Sequence, residues 1–285
     1  MPDFPIIDSH VHLADPGRFG YAWTKNAPSL NRRVLVDDLM RAAAPVEIER
    51  LVFVEVDVDL PQHVEEAKWV DGMAASDKRI AGMVAALPLE RGHAIEGELG
   101  QLLQNKVLRG IRRLIQNQAD PDFCIRPRFI EGLKLLAKHD LVFDICVFHR
   151  HMPNVIKMVQ QCPELRFVLV HIGKPGIRTG LTEPWRQHMK ELASLPNVVC
   201  KISGVATEAD HQNWTREQLK PYIAHAIDCF GFDRSMYGGD WHVMELAHPY
   251  PSWVEIVDWV IEGSSAEEKR KLYRDTAIKA YRLDR

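Results

Sequence analysis

The sequence lacks the features that define several broad classes of protein. Its five cysteines are widely spaced and include no Cys-x-x-Cys pair, which excludes a disulfide framework and a zinc ribbon. No apolar run approaches the ~20 residues of a membrane-spanning helix. The formal net charge is only −3, so no basic surplus indicates a nucleic-acid surface. What remains is an ordinary globular composition.

The amino terminus, Met1-Pro2-Asp3-Phe4-Pro5, has neither the charged nor the apolar region of a secretory leader. Together with the dispersed cysteines, this predicts a cytoplasmic location. The chain has 285 residues, of which 46% are hydrophobic and 26% are charged, as is usual for globular proteins. No linker or low-complexity segment interrupts it, so we expect one domain over residues 1–285.

Short apolar runs alternate with helical patterns along the whole chain. The predicted strands are Ile6–His12, Leu51–Val58, Ile80–Leu87, Leu108–Ile115, Leu141–Val147, Phe167–Ile172, Val198–Ser203 and Ser235–Asp240. The predicted helices are Val36–Ala44, Gln62–Ala75, Glu96–Gln104, Arg128–Lys138, Asn154–Gln161, Pro184–Ala193, Arg216–Cys229 and Ala266–Tyr281. This alternation favours a parallel (β/α)8 barrel, for which about 250 residues is typical. The alternative is a doubly wound open sheet, which usually has a glycine-rich turn after its first strand.

Polar residues fall at the carboxyl ends of the predicted strands, where the active sites of barrels lie. His10 and His12 are two residues apart on the first strand, so both rings point to one face and can bind a metal together. His171 closes an apolar run, and Asp240 follows two glycines at the end of the eighth strand. We expect these four side chains to share one site, although His-x-His alone is also typical of satisfied structural histidines.

Charged residues within other strands have structural as well as functional interpretations. Arg112 and Arg113 are adjacent, so one faces the barrel and the other the helices. Asp144 lies amid apolar residues and is expected to be buried and hydrogen-bonded. An ion pair in the barrel interior would explain Lys201 without catalysis, and Glu55 is a candidate partner for a histidine.

Two segments outside the strands are candidates for contact with a ligand. The stretch 14–33 is long for a loop between strand and helix, contains Tyr21 and Trp23, and is typical of a functional lid. His149 and His151 follow the fifth strand, where they lie either at the site or in a solvated loop.

A series of motifs over nearly the whole chain resembles the amidohydrolase superfamily. The motifs are Ile7-Asp8-Ser9-His10-Val11-His12, Tyr21-Ala22-Trp23, Gly110-Ile111-Arg112, His171-Ile172-Gly173-Lys174-Pro175, Lys201-Ile202-Ser203-Gly204 and Gly239-Asp240-Trp241. The likeness is to the amidohydrolase-related branch of metal-dependent (β/α)8-barrel hydrolases, and within it to the sugar lactonases. Their substrates include L-fucono- and L-rhamnono-lactones.

The resemblance implies a role for each of the strand-end residues. His10, His12 and Asp240 would bind one divalent metal, zinc or manganese, although some similar lactonases work without a tightly bound metal. Asp240 would also be the general base for water, and His171 and Arg112 would complete the catalytic set. The fourth strand has no lysine that could bridge two metals, so a binuclear site is not expected. Candidates for lining the substrate are Tyr21, Trp23, Lys174, Trp241, His242 and His149.

We therefore expect a lactonase, which opens a sugar-acid lactone with water activated by a general base. One alternative is a metal-dependent decarboxylase of an aromatic or muconate-type acid, with Arg112 binding the carboxylate. A second is a lactonase for a carboxylated pyrone or muconolactone, which Arg112 and Arg113 would suit. A third is a catalytically silent barrel that binds a sugar acid or a partner protein. The expected partner is a small-molecule lactone, with no nucleic acid and no membrane.

Overall fold

The computed structural model describes residues 1–284 and contains one sheet of eight parallel strands in sequence order. The strands are β1 Ile6–Val11, β2 Ile48–Val54, β3 Ile80–Ala86, β4 Leu108–Arg112, β5 Val142–Ile145, β6 Arg166–Leu169, β7 Val198–Ile202 and β8 Ser235–Tyr237. The sheet closes on itself just beyond β8, where the His12 N–H donates to the Trp241 carbonyl at 2.7 Å. The expected single-domain (β/α)8 barrel is confirmed, and the open sheet is excluded.

Helices connect the strands and cover the outside of the barrel. They are α1 Val36–Ala43, α2 His63–Ser76, α3 Glu96–Leu102, α4 Pro127–Lys138, α5 Met152–Gln160, α6 Trp185–Ala193, α7 Arg216–Phe230, α8 Tyr250–Val260, α9 Ala266–Arg270 and α10 Thr276–Tyr281. In α4, Phe129, Leu133 and Leu136 recur every three or four residues and are fully buried, which is the spacing of a helix with one core-facing stripe. No helix within residues 1–284 is long and apolar enough to cross a membrane.

The sequence predicted most elements within a few residues but missed one helix. Helix α8 begins at Tyr250-Pro251, a start that resembles a loop, and its aromatic and β-branched residues are typical of strands, although Tyr250, Trp253, Val254 and Val257 are buried at helical spacing. The predicted helix Ala266–Tyr281 is interrupted by a π-helical segment, Lys271–Asp275. Strand β8 ends at Tyr237, earlier than predicted, because the chain turns at Gly238 toward the site.

An ion pair lies in the barrel interior, as expected for Asp144 and Lys201. The Lys201 ammonium donates to Asp144 Oδ2 at 2.8 Å, and both side chains are completely buried. The Tyr281 hydroxyl of α10 donates to both oxygens of the same carboxylate, at 2.7 and 2.9 Å. The C-terminal helix therefore supplies part of the polar core of the barrel.

Candidate active site

Four polar side chains converge at the carboxyl ends of β1, β6 and β8. The Nε2 atoms of His10 and His12 lie 3.2 Å apart. Asp240 Oδ1 lies 3.6 Å from His10 Nε2 and 3.4 Å from His12 Nε2. It also lies 3.6 Å from His171 Nε2. We call these four buried residues the histidine–aspartate cluster, and the structure brings them together as the sequence predicted.

Each histidine of the cluster has a second contact that orients its ring. His12 Nδ1 donates to the Val54 carbonyl at 2.8 Å, since a carbonyl can only accept. This contact directs Nε2 of the ring toward the site. His171 Nδ1 lies 2.8 Å from Ser203 Oγ. His10 Nδ1 lies 3.3 Å from the Lys201 ammonium. Outer contacts of this kind fix the direction in which each imidazole can bind a metal or substrate.

The electrostatics of the cluster favour neutral His10 and His171 beside a charged Asp240 carboxylate. Burial, followed by the charge of Lys201, holds the pKa of His10 well below its usual range. Burial also lowers the pKa of His171, to about 3. Burial opposes the ionisation of Asp240, but the neighbouring His171 and His12 and the Lys174 charge hold the pKa of this carboxyl below its ordinary value. At neutral pH the cluster therefore offers imidazole nitrogens and one anion.

The backbone at the cluster is held in an unfavourable conformation. Asp240 has φ 60°, and His171 and Ile172 have φ 55° and 48°. The left-handed region is uncommon for residues other than glycine, and a β-branched residue there is an outlier. The Asp240 N–H donates to the His10 carbonyl at 2.9 Å, which ties the turn after β8 to β1. Strain of this kind is concentrated at the reactive side chains.

Two glycines make room for the cluster. Gly204, with φ 56°, lies against His171, and any side chain at this position would overlap the imidazole ring. Gly239 lies against Asp8, whose carboxylate accepts from the Gly239 N–H at 2.8 Å and from the Tyr250 hydroxyl at 2.8 Å. The buried Asp8 therefore locks the turn that presents Asp240, and burial raises the pKa of Asp8 to about 6.

The cluster residues fit a divalent metal. One ligand atom from each of His10, His12 and Asp240 lies within 4.8 Å of the others. Two imidazole nitrogens and one carboxylate oxygen suit zinc, and three protein ligands leave a position for water or substrate, as in catalytic sites. The neutral state of His10 favours this use, because a protonated imidazole cannot bind a metal.

A cavity of about 320 Å³ opens beside the cluster. Of the residues singled out from the sequence, it is lined by His12, Trp23, Arg112, His171, Lys174 and Asp240. Trp23 is part of a short 3₁₀ helix in the loop after β1, and its Nε1 donates to the Val56 carbonyl at 2.8 Å. The segment expected to be a lid therefore contributes one aromatic wall.

Four residues predicted to line a substrate lie outside the cavity wall. Tyr21 is buried, and its hydroxyl accepts from the Asp15 N–H at 3.1 Å. Trp241 and His242 are buried within the turn after β8. His149 is half-buried, and its N–H donates to the Lys174 carbonyl at 3.2 Å. Their predicted contact with substrate stays a prediction.

The paired arginines point in opposite directions, as their adjacency predicted. Arg112 is buried and lines the cavity, with Nε donating to Glu55 Oε1 and Nη2 to the Glu55 carbonyl. Arg113 points outward and binds Glu90, with Nη2 2.7 Å from Oε1. Glu55 thus pairs with Arg112 and does not orient a histidine.

Glu208 is a carboxylate on the cavity wall that the sequence pattern did not predict. It lies in a short 3₁₀ helix, Ala206–Glu208, beyond the end of β7, and its Oε1 is 3.5 Å from Lys174 Nζ. Burial raises the pKa of Glu208 despite the neighbouring Lys174. Its only signal in the sequence is its place four residues after Gly204. Cys146 also lines the cavity.

Comparison with known proteins places this geometry in a family. L-fucono-1,5-lactonase of Burkholderia ambifaria is 31% identical over 285 residues, which cover 98% of this chain and 96% of that protein. A crystal structure of an amidohydrolase from Burkholderia multivorans with bound HEPES is 29% identical, covers 98% of this chain and 100% of that one, and has a TM-score of 0.88. A second structure from that organism, also 29% identical with the same coverage, contains bound zinc and has a TM-score of 0.87. Residues 7–283 match the amidohydrolase family model, and the chain belongs to this family.

Proposed function

We propose that this protein is a lactonase, which hydrolyses the cyclic ester of a sugar acid. The observation that carries the proposal is an ionised carboxylate, Asp240, set among His10, His12 and His171 beside a cavity of about 320 Å³. That volume is within the range of small-molecule sites. The relative named L-fucono-1,5-lactonase, which matches along almost its whole length, supports this reaction and a six-carbon lactone as the substrate class.

In the proposed mechanism Asp240 acts as the general base. Its lowered pKa keeps it ionised, so it can accept a proton as water attacks the lactone carbonyl carbon. A positioned base of this kind contributes about 10²–10⁴-fold to the rate. His171 and Arg112 line the same cavity and would donate hydrogen bonds to the oxyanion that forms on the carbonyl oxygen.

We propose that His10, His12 and Asp240 hold the metal, with zinc as the first candidate and manganese as the second. A bound divalent ion supplies Lewis-acid polarisation of the carbonyl and lowers the pKa of a water. The chain itself orients His12 as a ligand, through the hydrogen bond from its Nδ1 to the Val54 carbonyl.

The charge on the cavity wall favours a neutral lactone over a carboxylated one. Arg112 is already paired with Glu55, and Lys174 is paired with Glu208. Asp240 adds a negative charge to the same wall. A substrate carboxylate would have to compete for cations that have partners, so we place a neutral sugar lactone ahead of a pyrone or muconate-type acid.

A panel of lactones with a pH indicator tests the proposal, because each turnover releases one proton. The panel contains L-fucono-, L-rhamnono- and D-galactono-lactones and two muconolactones, with zinc, manganese or a chelator added. We expect turnover of neutral sugar lactones, and the chelator series shows whether the metal is required. Carbon dioxide release from an aromatic acid, with no turnover of any lactone, would reject the proposal in favour of a decarboxylase.

A further inference from the structure

Lys174 is held at the cavity wall from several directions. Its Nζ lies 3.5 Å from Glu208 Oε1 and 5.4 Å from the centroid of the Phe148 ring. Its backbone is left-handed, with φ 45°, and its N–H donates to the His171 carbonyl at 2.9 Å. The contacts of Nζ with Glu208 and the Phe148 ring hold the ammonium on the cavity wall that His171 and Asp240 also line.

The charges around this ammonium keep it protonated. Burial alone would lower the pKa of Lys174, but Cys146, Glu208 and Asp240 together raise it. Arg112 acts in the opposite direction and does not reverse the result. An ammonium is a much stronger acid than an aliphatic alcohol, so its proton can pass to an alkoxide. The cavity wall therefore contains a proton donor to which the hydrolysis described above assigns no step.

Lactone opening requires such a donor at its second step. Once water has added, the bond between the carbonyl carbon and the ring oxygen breaks, and the electron pair leaves with the ring oxygen as an alkoxide. Asp240 receives a proton from the attacking water, at the other substituent of the same carbon. A separate acid at the ring oxygen removes the need for one carboxylate to serve both oxygens.

We propose, on the basis of the lactonase function above, that Lys174 protonates the departing ring oxygen and that Glu208 is the positioning residue for its ammonium. In this step the C–O bond breaks, the ring oxygen takes a proton from Nζ, and neutral Lys174 remains beside Glu208. Of the proton on Asp240 and the proton of the product carboxylic acid, one restores Lys174 and the other passes to solvent. The net change is addition of one water and release of one proton.

Substituting arginine for Lys174 separates proton transfer from charge. Arginine keeps the positive charge but does not give up a proton in proteins. We expect Lys174→Arg and Lys174→Met each to lower kcat on the best sugar lactone by about 10²–10³-fold. Lys190→Met, on the exposed face of α6, is the control and should retain wild-type activity. Near-wild-type kcat in Lys174→Arg would overturn the proton-donor role, since charge alone would then suffice.

The sulfur analogue of the same lactone gives a second measurement. A thiolate leaves without protonation, so Lys174→Met should turn over the thiolactone within about threefold of the wild-type rate while it fails on the oxygen lactone. Equal losses on both substrates would show a binding or structural role instead. Failure of the lactonase proposal is distinguishable from either result, because wild-type protein would then be inactive on the oxygen lactones.

The position of Glu208 is tested by the pH profile. Glu208 raises the pKa of Lys174, and the reaction requires protonated Lys174. Glu208→Gln should therefore move the alkaline limb of the kcat profile to lower pH, and Glu208→Asp should restore part of that shift. Glu164→Gln, at an exposed position before β6, is the matched control. An alkaline limb that stays in place in Glu208→Gln would contradict the positioning role.

Discussion

The barrel contains two buried carboxylates that differ in how completely the protein satisfies them. Asp144 receives hydrogen bonds of 2.7–2.9 Å from Lys201 and Tyr281. Asp240 Oδ1 has its histidine neighbours at 3.4–3.6 Å, beyond ordinary hydrogen-bond length, and the residue lines a cavity. Burial is similar, so it does not distinguish them. Close hydrogen-bond partners make Asp144 a structural residue. The longer distances around Asp240 leave its carboxylate free to bind water, metal or substrate.

The strongest test of the difference between the two carboxylates is removal of the charge on Asp240 alone. Asp240→Asn should lower kcat by about 10²–10⁴-fold, because the base is lost, while the chain remains folded. Lactone turnover and thermal unfolding should be measured on the same preparation, with the exposed Asp228→Asn on α7 as the control. Activity close to wild type in Asp240→Asn would show that Asp240 is not the base.

Removal of the charge on Asp144 should instead lower the stability of the fold. Asp144→Ala leaves the Lys201 ammonium buried without its anion, which costs about 3–5 kcal/mol of unfolding free energy. Urea denaturation measures this loss. The double variant Asp144→Leu with Lys201→Met should recover most of the stability, since no unpaired charge remains. An unfolding free energy equal to wild type in Asp144→Ala would contradict a structural role for Asp144.

Lowering the pH should reduce the unfolding free energy through protonation of His171. Its pKa falls to about 3 in the folded chain from an ordinary value of 6.5, so the unfolded chain binds the proton first as pH falls. The stabilisation is complete above pH 6.5 and is lost progressively toward pH 3. Over this range His171→Gln should reduce the slope of unfolding free energy against pH by up to about 1.4 kcal/mol per pH unit. Urea titrations with a chelator present exclude a contribution from metal release, and an unchanged slope would contradict the neutral assignment of His171.

Metal binding should depend on the cluster and not on the interior pair. We expect His12→Asn to weaken zinc binding by at least about tenfold, since a direct ligand is removed. Isothermal titration with zinc measures the affinity. The control is His93→Asn at an exposed position. Equal zinc affinity in wild type and His12→Asn would place the metal elsewhere or exclude it.

The smallest expected effect is at the aromatic wall. Trp23→Phe removes the indole N–H that donates to the Val56 carbonyl at 2.8 Å but keeps a ring. A hydrogen bond of this kind is worth about 1 kcal/mol, so KM should rise by about fivefold or less with kcat nearly unchanged. A large loss of kcat would mean that the loop after β1 orders the reactive region itself.

The sequence was sufficient for the barrel and for the members of the cluster, because alternation and strand ends are local patterns. His10 and His12 lie two residues apart near the end of β1, and His171 and Asp240 follow the ends of β6 and β8. Closure of the barrel necessarily brings these strand ends to one rim. Glu208 could not be found this way, since it follows β7 by several residues and its place depends on the turn that Gly204 permits. Helix α8 was missed because it begins at Tyr250-Pro251, which resembles a loop, and is rich in aromatic and β-branched residues that are typical of strands.

Closure of the barrel at β1 and β8 means that the cluster joins two distant parts of the chain. His10 comes from the first strand and Asp240 from the turn after the last, and the two meet only when the ring is complete. Turnover is therefore a direct report of ring closure. Two separately expressed half-barrels should each be silent and regain activity only on reassembly. The cluster can thus serve as a built-in sensor for fragment complementation.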